Sequence, residues 1–531
     1  MKRLLVCILA AALLLSLAAC GKNDPTQATV PSTAPTANPA KPTTPEQTEP
    51  DSIETDPTEP QMRQPAPLPV LLSNRFLDEC TEDGIPLGYI FWQELRLDPS
   101  AAGEYQQLQQ VLEAWNLDMQ DIVAEELNDI LFCAREDQKI FGDEFEGYTC
   151  DILYAVQRAD NSVLSVLCSY AYNIGSKYTR TACLNLDVAT GQPMQLSDVL
   201  LDWTRLPALL TKALQDKYGQ SFTGTQEYLA SFAAEDYIWT MSYQWLTFHF
   251  TNAMLESPDH ELLSVTLWFD EYADLYAHDY SQAPQQGYAI RIPAAHVVDV
   301  DLASGDGVRD TVCVSIGENM LFVGKNDQVT ILEDCYGYTV DTYLVTPDNR
   351  NFYLYTEING DNDYSDIYVF DLSGEKPRLV EGIFGIGFAG KDVILADGSE
   401  VWAFPVFNDP SGFVLDTRVE LLGTMSGLCV YRADPKNGKP VAQMEYLDVS
   451  GHLMPLTSRI DLQLTILPEG KTETVPAGTV FYFLRSDNST YVDMRMSDGR
   501  ECRIPVTRED WEPMVNGMSA MDCFDGILFA G

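Results

Sequence analysis

The sequence predicts an α+β N-terminal domain followed by a mainly-β region. Three observations lead to this prediction: one long amphipathic helical repeat, several strand-like runs with shorter helices beside them, and a second half of short strands separated by turn residues. Hydrophobic residues make up 45% of the 531 residues and aromatic residues 11%, which indicates globular domains with apolar cores.

The longest predicted helix follows a start signal at Asp98-Pro99-Ser100. Apolar residues then repeat at helical spacing, at Leu108, Val111, Leu112, Trp115, Met119, Ile122, Val123, Leu127 and Ile130. Strands are predicted at 148–156, 163–172 and 181–188, and a second helix at 203–218, closed by Gly219. A short helix at 226–233 and strands at 245–250, 265–269 and 288–293 complete an antiparallel sheet with helices set to one side.

Residues 305–456 alternate short strands with turns such as Pro347-Asp348-Asn349 and Ser373-Gly374-Glu375. Hairpins at this spacing resemble the blades of a β-propeller, but this length holds only about three or four blades, whereas a closed propeller has about four to eight. We therefore expect a partial, propeller-like hairpin array. Residues 457–531 are predicted to form a separate meander that resembles a small SH3-like barrel.

The first residues have the composition of an export signal. Lys2 and Arg3 precede an apolar run at 4–15, which is short for a transmembrane helix. The following Leu17-Ala18-Ala19-Cys20 resembles the lipobox of bacterial lipoproteins, in which the cysteine carries the lipid. The alternative is an ordinary secretory signal that happens to contain a cysteine.

The lipobox resemblance implies a protein anchored by its Cys20 lipid to the extracytoplasmic face of a cell membrane. Residues 1–19 would be the signal peptide, and the Pro- and Thr-rich residues 20–69 a disordered stalk, because they hold too few apolar residues to form a core. The expected folded domains are then 70–304, 305–456 and 457–531.

The formal net charge of −46 argues against a nucleic-acid partner, since phosphates would be repelled. The acidity could attract cationic partners, collect divalent cations, or only keep the protein soluble. Ten cysteines remain besides Cys7 and Cys20, and none form a C-x-x-C pair, which argues against a zinc or thioredoxin-like site. We expect most to be small buried apolar residues, although export permits disulfides.

Residues 183–200 carry an ordered signature. A strand ends in Asp187, Thr190-Gly191 form a predicted hairpin turn with positive φ at the glycine, and Ser197 or Asp198 caps a helix. With the segments 269–273 and 289–293, this resembles a domain family that includes the lysozyme-binding region of an anti-sigma factor and the non-catalytic region of a peptidoglycan deacetylase. The resemblance covers residues 70–302. The family's Gly-Gly-Ala-His-like stretch is replaced here by residues 173–177.

Among the sequence patterns that resemble catalytic or cofactor motifs, one remains as a candidate metal site. Gly385, Gly387 and Gly390 spell G-x-G-x-x-G, but a strand follows instead of the helix that a dinucleotide site needs. The short S-x-x-K and S-D-N matches fall in polar turns, without the third element of penicillin-interacting enzymes. The side chains of Asp361, Asp363 and Asp366 could offer oxygens to Ca²⁺, or belong to a solvated loop. No catalytic residue and no other cofactor are predicted.

The resulting hypothesis is a non-catalytic binding or sensor module of the cell envelope. The family resemblance implies a cationic protein such as lysozyme, or a cell-wall component, as its ligand. Two alternatives stay open: an envelope hydrolase acting on glycan or peptide through scattered Asp and Glu residues, and a structural component of an envelope complex.

Overall fold

The structure, a computed structural model, describes residues 64–530 apart from 82, 220–223, 252–261, 294–295, 303–307, 318, 361–363 and 396–397. It is rich in strands, with 48% strand and 17% helix, and contains several sheets and one long helix. Within the described residues, no helix is long and apolar enough to span a membrane.

The helices are α1 Pro99–Ala102, α2 Gln106–Phe141, α3 Leu196–Val199, α4 Leu206–Tyr218, α5 Thr225–Leu229 and α6 Ala520–Cys523, with 3-10 turns at Gly142–Glu144, Trp203–Arg205 and Ala234–Asp236. The strands of the first half are β1 Val70–Cys80, β2 Pro86–Leu97, β3 Tyr148–Ala159, β4 Val163–Asn173, β5 Lys177–Asp187, β6 Ile238–Met241, β7 Trp245–Thr251, β8 Leu262–Trp268, β9 Tyr288–Ile292 and β10 Val298–Val300.

The strands of the second half are β11 Asp310–Gly317, β12 Met320–Lys325, β13 Gln328–Leu332, β14 Thr339–Thr346, β15 Tyr353–Asn359, β16 Ser365–Asp371, β17 Arg378–Phe384, β18 Ile386–Phe388, β19 Lys391–Ile394, β20 Glu400–Pro405, β21 Phe413–Val419, β22 Met425–Ala433, β23 Pro440–Ala442, β24 Leu447–Asp448, β25 Leu456–Ser458, β26 Leu462–Leu467, β27 Lys471–Val475, β28 Val480–Ser486, β29 Tyr491–Met496, β30 Glu501–Pro505, β31 Thr507–Glu509, β32 Glu512–Val515, β33 Met518–Ser519 and β34 Phe524–Asp525.

The first sheet carries the long helix. Its order is β19-β20-β1-β2-β3-β4-β5, and β2 pairs with β3 in parallel. Helix α2 makes the crossover that this parallel pair requires, and its apolar stripe packs on the sheet. Gly88 of β2 permits close packing, because a Cβ there would lie 3.1 Å from Ile130 and 3.2 Å from Leu131.

Two distant segments complete this first sheet. Strand β20 pairs with the start of β1, through Leu71 opposite Pro405. The Asn408 side chain donates hydrogen bonds to the carbonyl oxygens of Leu68, at 2.8 Å, and Ala159, at 3.0 Å. The sheet therefore joins strands from both sides of residue 304, which was the expected domain boundary.

Strands β6, β7 and β8 form a small antiparallel sheet beside the shorter helices. Leu206, Leu210 and Leu214 of α4 share one core with apolar residues of this sheet, including Phe248. Helix α4 begins later than predicted, because a 3-10 turn capped by the Asp202 side chain occupies residues 203–205. It ends at Gly219, whose φ of 62° is left-handed, as predicted.

The sheet β17-β16-β15-β14-β9 lies in the middle of the second half and is buried on both faces. Leu344, Leu354 and Phe370 share a core with the sheet β10-β11-β12-β13, whereas Tyr355 and Val369 share another with strands β18 and β21. Two-sided burial explains why the residues of β15 are buried almost throughout rather than alternately.

The C-terminal strands differ from the predicted barrel. The described residues form no closed barrel; strands β24 to β30 instead continue a twelve-stranded sheet that begins at β18, and β31-β32-β33 form a separate small sheet. This large sheet crosses residue 456 through the pairing of β24 with β28. The hairpins predicted for 305–456 belong to four different sheets rather than to one repeated array.

Candidate functional site

The solvent face of α2 is the candidate site. One stripe of the helix, with Leu108, Leu112, Met119, Val123 and Leu127 among its members, is buried against the first sheet. The opposite stripe alternates acidic and large apolar side chains at spacings of three and four residues: Asp118, Asp121, Ile122, Glu125, Asp129, Phe132, Glu136 and Ile140. We call these eight residues the acidic stripe.

The apolar members of the acidic stripe are unusually exposed. Phe132 has 75% of its surface accessible and Ile140 has 72%, while Leu117 beside the stripe has 62%. A single exposed apolar residue needs no explanation, but several along one helix face are typical of a surface that another molecule covers.

The acidic members repel one another. Asp118, Asp121, Glu125 and Asp129 make no ion pair within the part of the chain that the structure describes. The ion pairs of this helix join Glu126 to Arg180 and Glu136 to Lys139. Like charges four residues apart destabilise a helix by about 0.2–0.5 kcal/mol for each pair. These four charges and the exposed apolar side chains beside them therefore do not stabilise the free chain.

One edge of the stripe meets an aromatic cluster on β4 and β5. The Arg180 guanidinium pairs with Glu126 at 2.7 Å and lies 4.4 Å from the ring centroid of Tyr170. Tyr172 and Tyr178 stack with centroids 4.5 Å apart. Burial, with the charge of Glu126 as the next cause, raises the pKa of Tyr178 to about 12, so its hydroxyl stays protonated.

Near the C-terminal end of the helix, carboxylates surround a thiol. Burial, together with the carboxylates of Asp137 and Asp129, raises the pKa of the Cys133 thiol above its ordinary value. The hydroxyl of Tyr148 donates a hydrogen bond to Asp137. A neutral thiol in a negative environment is a poor nucleophile, so Cys133 offers this surface no covalent chemistry.

The predicted calcium site is described only in part. Asp361, Asp363 and the lipidation candidate Cys20 lie outside the described residues. Asp366 lies at the start of β16, where its carboxylate accepts a hydrogen bond from the backbone N–H of Gly385 at 2.9 Å. Among the described residues, no three His, Cys, Asp or Glu side chains are grouped so that they could hold a metal ion.

Sequence reasoning assigned α2 to the core and missed its exposed face. Ile122 was placed in the buried repeat, yet it is 37% exposed. The signal was present in the spacing, because Ile122 lies directly before Val123 and cannot share its direction on a helix. Ile140 repeats the direction of Ile122 after about five turns, and Phe132 lies on the side of the helix opposite Val123.

Comparisons with known proteins give two similar solved structures. One is a DUF3298 family protein from Bacteroides fragilis, 12% identical, with a TM-score of 0.32. The other is a DUF3298 family protein from Pseudomonas aeruginosa, 13% identical, with a TM-score of 0.28. Each match covers 41% of this chain and 98% of the other. No protein-family model and no curated protein match the sequence. Identities and scores this low do not establish a shared function.

Proposed function

We propose that this chain is a non-catalytic binding protein, held by a Cys20 lipid on the extracytoplasmic face of a membrane, which captures a cationic protein through the acidic stripe. The observation that carries the proposal is the combination, on one helix face, of exposed Phe132 and Ile140 with four carboxylates that make no ion pair among the described residues. The resemblance of residues 70–302 to a domain family with a lysozyme-binding member supports it.

The stripe suits a basic partner with some apolar surface. Helix α2 contains eight acidic and two basic side chains. A basic partner would remove the repulsion within the stripe, and its apolar atoms would cover Phe132 and Ile140. Charges of this kind raise the association rate and select partners by sign, while buried apolar contacts supply most of the affinity.

The test is retention of the full chain on immobilised lysozyme, with immobilised peptidoglycan in parallel. Retention on lysozyme should fall when salt rises from about 0.15 M to about 1 M, because the Debye length falls from about 8 Å to about 3 Å. Retention on peptidoglycan alone would indicate that the partner is a wall component and not a cationic protein. Turnover of a glycan or peptide panel without retention on either would favour the hydrolase alternative.

A matched pair of variants tests whether the acidic stripe is the binding surface. The variant D118N/D121N/E125Q/D129N should bind lysozyme about tenfold more weakly, from about 0.2–1 kcal/mol for each exposed charge pair. The control E375Q/E400Q/E445Q/E509Q removes the same charge from exposed positions elsewhere and should bind normally. The first variant should also unfold no more easily than wild type, since like-charge repulsion is relieved. Equal losses in both variants would show that net charge alone is responsible.

A further inference from the structure

The first sheet has an accessible face on the side opposite α2. Along β3, buried residues that share the core with α2 alternate with half-buried or exposed ones from Tyr148 to Leu153. The register of β1, β2 and β3 places the second set together on the other side of the sheet. We call six of these residues the open face: Phe76, Asp78, Tyr89, Phe91, Asp151 and Leu153.

The apolar part of the open face lies at the surface. Phe76 has 67% of its surface accessible, Leu153 has 37% and Tyr89 has 36%. The rings of Phe76 and Tyr89 stack with an interplanar angle of 21° and centroids 6.4 Å apart. A ligand reaches these rings without any movement of the protein, and several exposed apolar side chains on one face are typical of a surface that another molecule covers.

Two carboxylates lie among these rings. Asp151 is half-buried directly opposite Phe91, and Asp78 is exposed directly opposite Tyr89. Neither side chain makes an ion pair or a hydrogen bond with another described residue. Burial raises the pKa of Asp151 above its ordinary value, and burial followed by the charges of Asp151 and Asp78 raises the pKa of Tyr89. The Tyr89 ring therefore lies close to both carboxylates.

The basic side chains near the open face do not neutralise it. Lys177 lies on β5, two strands from Asp151, which is about 10 Å at the usual strand spacing. The guanidinium of Arg291, near Gln93 of β2, pairs with Asp341 and donates a hydrogen bond to the carbonyl oxygen of Tyr154 at 2.8 Å. The open face therefore keeps a negative charge.

We propose that the open face binds an arginine side chain of a polypeptide partner. Any partner that covers this face also removes water from the Asp151 carboxylate, and a buried charge is costly unless an opposite charge pairs with it. The partner must therefore bring a cation. The face is also flat and open, whereas sites for small molecules are concave, so the cation belongs to a larger molecule. The inference uses the side of the sheet opposite α2, so it does not depend on the proposed function.

A guanidinium fits the chemistry of the open face better than an ammonium does. Its planar fork can donate two hydrogen bonds to the two free oxygens of one carboxylate, and its flat surface stacks on aromatic rings. Asp151 supplies the carboxylate, and Phe76 and Tyr89 supply the accessible rings. An ammonium is a compact, strongly hydrated charge that forms neither the double bond nor the stack.

A titration of the full chain in about 0.15 M salt, followed by NMR of the ligand, tests the proposal with the peptide acetyl-Gly-Arg-Gly-amide as the probe. Wild type should bind this peptide saturably. The same peptide with citrulline, whose uncharged urea group replaces the guanidinium, should bind at least about tenfold more weakly. The lysine peptide should bind about threefold more weakly.

Four results would overturn the proposal. They are no saturable binding of the arginine peptide, equal binding of the citrulline peptide, equal binding of the lysine peptide, and binding of an N-acetylglucosamine trisaccharide in place of the arginine peptide. The last result would assign the open face to a glycan.

Two variants and a control locate the site. Asp151→Asn should bind the arginine peptide about tenfold more weakly, yet it should resist urea at least as well as wild type, because a half-buried charge without a partner is removed. A carboxylate with only a structural role would not give this combination. Phe76→Leu should bind about threefold more weakly, since an exposed ring contact with the cation is lost.

The control Asp327→Asn removes one charge from an exposed turn between β12 and β13 and should bind the arginine peptide normally. A loss in this control equal to that of Asp151→Asn would show that net charge alone attracts the peptide. Unchanged binding in both Asp151→Asn and Phe76→Leu would refute the assignment of the open face.

Discussion

Replacing Glu357 with glutamine should remove one pH-dependent part of the stability. Glu357 lies on the central strand β15, is 8% exposed, and faces Asp341 across the strand pair. Asp341 pairs with Arg291, and the Glu357 carboxylate accepts a hydrogen bond from the backbone N–H of Phe388 at 2.9 Å. Burial, with the charge of Asp341 as the next cause, raises the pKa of Glu357 from 4.5 to about 8.

The direction in which stability changes with pH follows from proton linkage. Between pH 4.5 and 8 the folded chain keeps the Glu357 proton and the unfolded chain releases it. The stability that this proton supplies is therefore complete below pH 4.5 and is lost as the pH rises towards 8. The slope is at most about 1.4 kcal/mol for each pH unit, so up to about 3 kcal/mol is lost over about two units near neutrality. The glutamine variant keeps the acceptor for the Phe388 N–H and has no proton to lose.

Urea unfolding of wild type and variant at pH 5.5 and 7.5, followed by circular dichroism, measures this difference. Burial lowers the pKa of His249 to about 3 and that of His296 to about 4. These histidines cost stability as the pH falls below about 6.5, the opposite direction, but they cancel because both proteins contain them. The control Glu375→Gln, in an exposed turn, should follow wild type. Parallel stability curves for wild type and Glu357→Gln would refute the reasoning.

Three further predictions concern packing and accessibility. Gly287→Ala should destabilise far more than Gly478→Ala in urea unfolding: both have φ above 80°, but a Cβ at Gly287 would lie 1.8 Å from a backbone oxygen, and one at Gly478 meets nothing within 4 Å. Asn116→Ala should lower the free energy of unfolding by about 2–4 kcal/mol, because the Asn116 amide bonds the buried N–H and C=O of Leu95 in β2. The exposed control Asn128→Ala should lower it by under about 1 kcal/mol, and equal losses in the two variants would contradict this. In the native protein a thiol reagent should label Cys80 first, since it is the exposed member of the ten free cysteines in the described chain. Mass spectrometry identifies the labelled residue, and earlier labelling of a buried cysteine would contradict the structure.

Local structure could be predicted where one periodicity dominates. The helix expected around Leu108 to Ile130 is α2, and the strands expected at 148–156 and 163–172 are β3 and β4, extended by a few residues. The predicted end of the second helix at Gly219 is confirmed, because the left-handed φ that ends a helix depends on the local residue and favours glycine. Helix α5 is shorter than predicted and ends at Leu229, since the following residues turn towards a 3-10 helix.

Long-range pairing could not be predicted. Nothing near Leu71 or Pro405 indicates that they lie opposite each other, because any edge strand with free N–H and C=O groups can accept a partner. The same holds for β24 and β28, whose pairing replaces the expected barrel by a larger sheet. The acidic stripe was missed for a different reason: the buried and the exposed apolar residues of α2 overlap in sequence, and only the position of the sheet separates them.

The calcium ligands Asp361 and Asp363 and the lipid on Cys20 stay predictions. Calcium titration of wild type against D361N/D363N would test the first, since weaker binding in the variant is expected if these carboxylates are ligands. Mass spectrometry of the N-terminal peptide from the membrane fraction would test the second, and a peptide without an acyl chain would contradict it.

The first sheet contains strands that are far apart in the sequence, so it cannot be completed until most of the chain has been synthesised. Asn408 and Leu68 are bonded although they lie 340 positions apart. A ribosome therefore completes β1 long before β19 and β20 exist, and until then the start of β1 is an open strand edge that can pair with another molecule. A fragment that ends before residue 391 should accordingly aggregate even though it contains α2 and five strands of its sheet.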